Sequence, residues 1–409
     1  MDKTLHLIDF SSPSTDKFNF NFYNVGMILL IILSQYNVAK WGATLSYVAI
    51  PGIFFLFGAF FSKTKFDKNA FLIFGLFSVY FISTFFSSYV LVGREIASFF
   101  VFCIFYVLAV SNKFSVKEIR VFLFVYIIVA CSASFNICFN WLAHNYVQDW
   151  TKRSTFVFLG VMKDPNYTFA YICPAFVISV LLFFQNKKFW VRFVSALSIL
   201  STFAALFCAS TRAGMLSIAV SLILIPLFCS QLSKKTRITI MLITVFGALL
   251  GYLIITKTYS EYALKRFTDD KDGSGRFDIW MYALKVFKEH PILGGGFNSG
   301  SSISLANEGH TSHSVVFDIL CDSGILGMLA FFIFYFENCF WSDWENFELQ
   351  VVLSASALIP LFFINGFNTT TFYYPLILLC LIRKTAMECD YSVLFTFGEE
   401  PSKITLSLE

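Results

Sequence analysis

The sequence predicts an all-α integral membrane protein with about twelve transmembrane helices. Of its 409 residues, 57% are hydrophobic and only 14% are charged, whereas a soluble domain carries about 25% charged residues. The mean hydropathy is +0.70. The apolar runs are continuous and about 20 residues long, which is the length of a helix that crosses a bilayer and satisfies its own backbone hydrogen bonds.

Each predicted span is a separate apolar run. We find no internal repeat, no low-complexity tract and no soluble domain, so residues 1–409 are predicted to form a single membrane domain. The last run is short, and it can be tilted or partly re-entrant. The runs extend over roughly 22–39, 41–61, 70–92, 96–111, 119–142, 166–185, 190–209, 213–230, 238–256, 314–336, 349–366 and 371–383.

The lysines and arginines predict the orientation, because cytoplasmic loops are enriched in them. All the basic clusters fall on one side of a twelve-span chain, which puts both termini in the cytoplasm. The long loops 143–165 and 257–313 are then periplasmic, and loops of this length usually carry function. Loop 337–348 is acidic and lends no support. The basic clusters are Lys63, Lys65 and Lys68; Lys113, Lys117 and Arg120; Lys187, Lys188 and Arg192; Lys234, Lys235 and Arg237; and Arg383 and Lys384.

Composition also limits the partners. The net charge of +4 is small and gives no indication of nucleic-acid binding. The ten cysteines are scattered singly, without metal-ligand spacing, and are interpreted as small core residues. Residues 1–20 carry no cleavable signal pattern, so the first span is expected to remain as an anchor. Membrane lipids are therefore the expected surroundings of most of the chain.

Two arginines stand at span boundaries of the predicted outer face. Arg212 occupies a short turn between two spans, where a charge costs free energy unless it is partnered or hydrated. Arg276 begins an amphipathic pattern that includes Trp280. An arginine beside free backbone N–H groups suits a phosphate. The alternatives are an interfacial anchor for Arg212 and a solvated loop residue for Arg276.

A histidine, His313, is the last polar group before the span that begins near Val315. Histidine is the usual general base at neutral pH, and the alternative is an interfacial or helix-capping residue. His310 is three residues away, but no third ligand has matching spacing, so neither a metal nor a cofactor is predicted. His290, which precedes Pro291, is predicted to end the Trp280 helix.

Three further residues of the outer face are candidate substrate-binding groups, together with His310. Asp164 and Asn166 precede the sixth span, where they can cap the helix or hydrogen-bond a sugar. Arg94 is adjacent to Glu95 at a short turn, where it can form a structural ion pair or touch a charged headgroup.

The two arginines and His313 indicate an anionic ligand that is held in the membrane, and a lipid-linked diphosphate fits. The arginines could stabilise the diphosphate as it leaves, and the histidine could take the proton of an attacking hydroxyl. A transporter or flippase for a lipid-linked glycan is the alternative class. A transporter should show inverted repeats and polar or broken helices. Pro174 and Pro226 lie within spans, and we expect no charge deep in any span.

Five short motifs occur in order from residue 164 onward. They are Asp164-Pro165-Asn166, Thr211-Arg212, Gly275-Arg276 followed by Trp280, His290-Pro291-Ile292-Leu293-Gly294-Gly295-Gly296, and His313-Ser314 leading to Gly324-Ile325-Leu326-Gly327. With these motifs the chain resembles the O-antigen ligase and polymerase family of polytopic membrane proteins. Ser314 is a minor departure, because asparagine is commoner there in the family.

The resemblance implies a GT-C-like glycosyltransferase of the bacterial inner membrane. It would take an undecaprenyl-diphosphate-linked oligosaccharide as donor and act with inversion, without metal or cofactor, on the periplasmic face. By this similarity Arg212 and Arg276 would bind the diphosphate and His313 would activate the acceptor hydroxyl. We favour a polymerase, which would also imply a chain-length regulator as partner, over a ligase that transfers the glycan to lipid A-core.

Overall fold

The computed structural model describes most of the chain. The described residues are 20–36, 44–62, 64–86, 93–148, 153–230, 232–257, 276–297, 299, 312–340, 344–364, 370–388 and 392–397. They are almost entirely helical, and each of the twelve predicted spans overlaps one helix, so the all-α polytopic class is confirmed. His310 and most of the predicted loop 257–313 lie outside the described residues.

The helices are numbered here in chain order. Short 3₁₀ segments cover Asn69–Phe71 and Ile359–Phe363, and one π-helical turn covers Phe336–Phe340. The α-helices are α1 Phe22–Gln35, α2 Thr44–Ser62, α3 Leu72–Phe85, α4 Gly93–Ser111, α5 Val116–Leu142, α6 Pro165–Gln185, α7 Phe189–Ala209, α8 Arg212–Phe228, α9 Lys234–Lys257, α10 Arg276–Glu289, α11 Val315–Tyr335, α12 Trp344–Leu358, α13 Thr370–Glu388 and α14 Ser392–Phe395.

Within the described part of the chain, four helices are long and apolar enough to cross a membrane: α5, α6, α7, and α11 with its π-helical extension. Shorter apolar helices of 10–17 residues account for six more stretches. A helix rises about 1.5 Å per residue, so the shorter ones cross less than a full hydrocarbon layer unless flanking chain continues them.

Two small antiparallel hairpins lie between α5 and α6, in the segment predicted as a long loop. The first pairs β1 (Tyr146–Gln148) with β2 (Arg153–Ser154), and the second pairs β3 (Phe156–Phe158) with β4 (Val161–Lys163). The second hairpin turns through two left-handed residues at positions 159 and 160, with φ of 48° and 75°. Two successive positive φ values match the twist of a two-residue hairpin turn.

Local capping explains where several helices begin. Ser115 and Glu118 form a capping box at the start of α5. Asp164 caps α6 by accepting the N–H of Asn166 at 2.7 Å, and Pro165 occupies the first helical position. Of the two roles predicted for Asp164, the structure therefore shows the helix cap.

The core of the described residues is one large apolar cluster that runs through the bundle, beside a small second cluster in which Ala283 and Val286 of α10 meet Cys321 of α11. A trio of fully buried tyrosines, Tyr126, Tyr171 and Tyr374, joins α5, α6 and α13. Tyr126 meets the other two rings edge-on, with centroids 4.8 and 4.9 Å away. The Tyr171 hydroxyl donates to the Ile31 carbonyl at 2.8 Å, so α1 is held against the same trio.

The predicted basic loops meet at one end of the bundle. Lys384 contacts Asp67, and its ammonium also donates to the Val110 carbonyl. Hydrogen bonds between more distant loops extend this end: Asn186 to the Phe395 carbonyl, Ser230 to Glu348, and Asn338 to the Asn69 carbonyl. The basic loops, which the sequence predicts on one side of the membrane, therefore also lie together at one end of the bundle. We refer to this end of the bundle as the lysine end.

Candidate functional site

Arg212 is the first residue of α8, at the end of the bundle opposite the lysine end. Ser210 ends α7 in a left-handed conformation, with φ of 47°. Thr211 then caps α8 by accepting the Gly214 N–H at 3.3 Å, and its hydroxyl donates to Asn166 at 2.8 Å. The turn is braced from both sides, so the backbone that carries Arg212 is held in place.

The Asp164-Pro165-Asn166 motif supplies that brace. The side-chain Oδ1 of Asn166 accepts a hydrogen bond from the Thr211 hydroxyl, and the backbone N–H of Asn166 donates to the Asp164 cap. Asp164 itself is exposed. Arg94 lies in the first turn of α4, and its side chain is outside the described atoms. Asp164 and Asn166 are thus held in local hydrogen bonds, and the substrate-binding role of Arg94 stays a prediction.

A third arginine, Arg153 in β2, was missed by the sequence analysis. It is only 6% exposed, and its Nε donates to the Ala209 carbonyl at 3.0 Å, next to the Arg212 turn. The sequence offers little sign of this, since Arg153 follows Lys152 in a mixed polar stretch. The pairing of β1 with β2 carries it against the end of α7.

The three arginines act on one another electrostatically. Burial lowers the pKa of Arg153, the positive charges of Arg276 and Arg212 lower that pKa further, and Asp164 raises it. Arg276 is the first residue of α10, as predicted, and its guanidinium carbon lies 5.9 Å from the centroid of the Phe363 ring. These charges lie close enough to repel, which is an arrangement that an anion would stabilise.

His313 is held in a left-handed bend just before α11, with φ of 51°. Such a conformation is uncommon outside glycine, and surrounding contacts must maintain it. The Trp280 indole donates to the Ser312 carbonyl at 3.0 Å, and the Ser312 hydroxyl donates to buried Asp318. The Trp280 ring also stacks on Phe317, with centroids 5.1 Å apart. Since Trp280 is one turn along α10 from Arg276, these contacts join the arginine helix to the histidine bend.

Helix α11 is broken at Gly324, which has φ of 63° and ψ of −159°. In an unbroken helix the N–H groups of Ile325 and Leu326 would donate to the carbonyls of Cys321 and Asp322. The break separates these four groups from one another. Inside a membrane protein each group left without a partner costs several kcal/mol, about the cost of an unmade buried hydrogen bond.

The loop that follows α10 satisfies all four groups. Gly295 donates its N–H to one freed carbonyl at 2.6 Å, and Gly296 donates to the other at 3.1 Å. The two freed N–H groups donate to the carbonyls of Pro291 at 2.9 Å and Ile292 at 3.2 Å. The His-Pro-x-x-Gly-x-Gly motif is therefore a clamp on the broken helix. His290 ends α10 as predicted, with its N–H bonded to the Val286 carbonyl.

Glycine is required where the clamp and the break meet. A Cβ atom on Gly294 would lie 2.4 Å from the Ser323 amide nitrogen, and one on Gly324 would lie 2.4 Å from the Ile292 carbonyl oxygen. Both residues also have positive φ, 73° and 63°. The two glycine motifs recognised separately in the sequence are thus two halves of one contact.

The expectation that no charge lies deep in any span was wrong. Asp318 and Asp322 lie within α11 and are 8% and 5% exposed. Serine hydroxyls bind both carboxylates: Ser312 donates to Asp318, and Ser299 donates to Asp322 at 3.0 Å. The sequence did contain a signal for this pair: Asp322 follows Asp318 by four residues, so both carboxylates lie on the same face of the helix.

Among the described residues, no three His, Cys, Asp or Glu side chains come together as metal ligands would. His310 lies outside those residues, so its predicted contribution stays a prediction. The structure brings together Arg212, Arg276 and Arg153, and it ties His313 to the Arg276 helix.

A polytopic helical membrane protein with an arginine cluster at one end is the class that the fold and the site define. Residues 196–332 match the family model described as O-Antigen ligase, and this match supports the resemblance of the chain to the O-antigen ligase and polymerase family. The matched segment includes Arg212, Arg276, His313 and the Gly324 break.

A relative is the "O-antigen ligase" of Pseudomonas aeruginosa, which is 25% identical over 218 residues. The alignment covers 53% of this chain and 51% of that protein, so the chain spans about half the length of the relative it matches.

Proposed function

We propose that the protein is an O-antigen polymerase, a membrane glycosyltransferase that joins oligosaccharide repeat units carried on undecaprenyl diphosphate. The donor is a growing glycan on its lipid carrier, and the acceptor is a new lipid-linked repeat unit. A regulator of chain length is the expected protein partner. Membrane lipids surround the helices, and nucleic acid has no role.

The arginine cluster carries this proposal. Arg212 and Arg276 begin helices whose first N–H groups point away from the helix body, and such helix starts favour anions. A guanidinium presents donors in a fork that matches phosphate oxygens. Two such groups at the edge of a helical bundle suit a ligand whose diphosphate sits at the bilayer surface and whose lipid tail stays among the helices.

The reaction is a single displacement with inversion. The acceptor hydroxyl oxygen forms a bond to the anomeric carbon of the donor sugar while the bond from that carbon to the diphosphate oxygen breaks. The bonding electrons go to the diphosphate, where Arg212 and Arg276 stabilise the added charge. His313 takes the hydroxyl proton as general base. The arginines thereby supply the positive charge at the leaving group, and the proposed step is metal-independent.

The proposed location follows from the two ends of the bundle. The lysine end faces the cytoplasm under the positive-inside rule, together with both termini. The arginine cluster then lies at the periplasmic face of the inner membrane, where the segments 143–165 and 257–313 form the two periplasmic loops. We propose that residues 1–409 form one membrane domain, which positions the arginine cluster at this periplasmic face.

Ligation is the second candidate function, because both the family model and the Pseudomonas aeruginosa relative carry the name O-antigen ligase. A ligase would use the same donor and the same leaving group but would transfer the glycan to lipid A-core. The arginines and His313 would keep their roles, so the acceptor alone separates the two functions.

The decisive experiment uses purified protein in detergent with a synthetic undecaprenyl-diphosphate repeat unit as the sole substrate and no added metal. A ladder of multiples, resolved by gel or by mass, is the expected result and establishes polymerisation. Transfer that appears only when lipid A-core is added would establish ligation instead. Absence of both products, with movement of the same lipid across liposomes, would overturn the enzyme proposal in favour of transport.

Arg276→Lys should impair turnover even though the charge is retained. Lysine cannot make the bidentate contact that a guanidinium makes with a phosphoryl group. A lost hydrogen bond to a charged group costs about 1.5–3 kcal/mol. We therefore expect the variant to have a kcat/KM that is roughly 10- to 100-fold lower. The assay is the ladder reaction under initial-rate conditions.

The matched control is Arg192→Lys. Arg192 is exposed near the start of α7, at the lysine end, with its guanidinium carbon 5.1 Å from the centroid of Phe183. Its replacement should leave kcat/KM unchanged. Wild-type activity in Arg276→Lys would show instead that Arg276 has no role at the diphosphate.

A further inference from the structure

We propose that Arg153 is a third diphosphate-binding residue, whose free guanidinium nitrogen binds the phosphoryl group that Arg212 and Arg276 leave incompletely neutralised. This inference rests on the proposed function and extends its anion site to a residue that lies outside the segment matched by the family model, 196–332.

The guanidinium nitrogens of Arg153 differ in whether they have a hydrogen-bond acceptor. Nε donates to the Ala209 carbonyl, whereas the buried Nη2 has no hydrogen-bond acceptor among the described residues. The side chain is 6% exposed, so water has little access to it. A buried donor without a partner is rare in folded proteins, and it calls for an explanation such as a ligand that is absent.

The charges around Arg153 point to an anion. Arg212 and Arg276 both act on it as positive neighbours, and Asp164 is the one negative neighbour among the groups that act on it. Asp164 raises the pKa of Arg153 more than either arginine alone lowers it, but this one exposed carboxylate faces three guanidinium groups. A buried charge that lacks full compensation is costly. A ligand with more than one negative charge, such as a diphosphate, would offset three guanidinium groups better than a single carboxylate does.

The position of Arg153 adds geometric support. Its contact with Ala209 places it against the C-terminus of α7, three residues before Arg212. The β1–β2 hairpin is fixed there by Ser154, whose hydroxyl donates to the Ile137 carbonyl at 3.1 Å. Arg153 and Arg212 are thus held on adjoining backbone, which gives the site a preorganised pair of cations.

A simpler interpretation is that Arg153 only caps α7, because the last carbonyls of a helix need donors. The two roles make different demands. Capping requires one donor near the Ala209 carbonyl, which lysine can supply together with the charge. Diphosphate binding requires the second nitrogen of the guanidinium, which lysine lacks.

The experiment measures binding of inorganic pyrophosphate to the full-length protein in detergent, by calorimetry and by the shift in thermal unfolding temperature. The variants are Arg153→Lys and Arg153→Gln, with Arg192→Gln as the control at the lysine end. We expect wild type and Arg192→Gln to bind alike and Arg153→Gln to bind about 10- to 100-fold more weakly. Arg153→Lys should unfold at the wild-type temperature without ligand and still bind at least about tenfold more weakly.

Wild-type pyrophosphate affinity in Arg153→Lys would overturn the proposal and leave Arg153 as a helix cap. So would a loss of unliganded stability in both variants that is accompanied by unchanged affinity. The ladder assay separates this result from the fate of the proposed function. Polymerisation by wild type, together with unaltered pyrophosphate binding in the Arg153 variants, would reject the role of Arg153 alone.

Discussion

Replacing His313 with alanine is expected to abolish most glycosyl transfer while the protein stays folded. General-base catalysis contributes about 10²- to 10⁴-fold to rate, and we expect kcat to fall by that order. The Trp280 indole donates to the Ser312 carbonyl and the Ser312 hydroxyl donates to Asp318, so contacts outside the imidazole also hold the bend, and we expect the fold to survive its loss. Initial rates of the ladder reaction measure the loss, and thermal unfolding in detergent reports on the fold.

The chain offers a close control in His144. This histidine also has a left-handed backbone, with φ of 58°, and it is exposed, with its Nδ1 2.8 Å from the Tyr146 hydroxyl. His144→Ala carries the same backbone cost and should keep wild-type kcat. A second variant, His313→Asn, guards against misfolding because asparagine tolerates positive φ. Near-normal turnover in His313→Ala would reject the base role and demote His313 to a structural residue.

Gly324→Ala is expected to produce the largest loss of stability. The alanine Cβ would lie 2.4 Å from the Ile292 carbonyl oxygen, which belongs to the backbone of the clamp and cannot rotate away. The backbone of Gly324, with φ of 63° and ψ of −159°, lies in a region that essentially only glycine adopts, and another residue held there costs about 1–3 kcal/mol. If the clamp opens, the freed backbone groups of α11 lose their partners as well. We expect destabilisation on the order of 3 kcal/mol or more, near the upper part of the range for point mutations.

Gly75→Ala supplies the comparison. Gly75 lies inside α3, and a Cβ atom there would meet nothing within 4 Å. Alanine favours a helix over glycine by about 1 kcal/mol, so this variant should unfold at or above the wild-type temperature. The measurement is the midpoint of thermal unfolding in detergent for both variants. An unchanged midpoint for Gly324→Ala would mean that the helix break and its clamp do not contribute to stability.

Much of the fold was predictable because membrane helices are specified locally. The length and hydropathy of each apolar run are properties of neighbouring residues, and all twelve runs correspond to helices. The start of α10 at Arg276 and its end before His290 follow from an amphipathic period and from Pro291. The gathering of the basic loops at one end follows from counting spans, which alternate sides.

Other features depended on partners that are distant in the chain. Arg153 reaches the Ala209 carbonyl across 56 positions, and its burial depends on a hairpin too short to be recognised by alternation. The break at Gly324 looked like ordinary helix, because nothing beside it in the sequence supplies the missing hydrogen bonds. Those bonds come from the loop that follows α10, so the stability of the break could be judged only with the fold in hand.

By itself, the sequence determined that this is a helical membrane protein, which end of the bundle carries the lysines, and which arginines and histidine stand at span boundaries. These are consequences of local composition and of the bilayer acting as a solvent. Only the tertiary structure decided that Arg153 joins Arg212 and Arg276, that Trp280 links the Arg276 helix to the His313 bend, and that the glycine motifs form one clamp. Each of these depends on contacts between residues far apart in the chain, and no local pattern encodes which distant groups will meet.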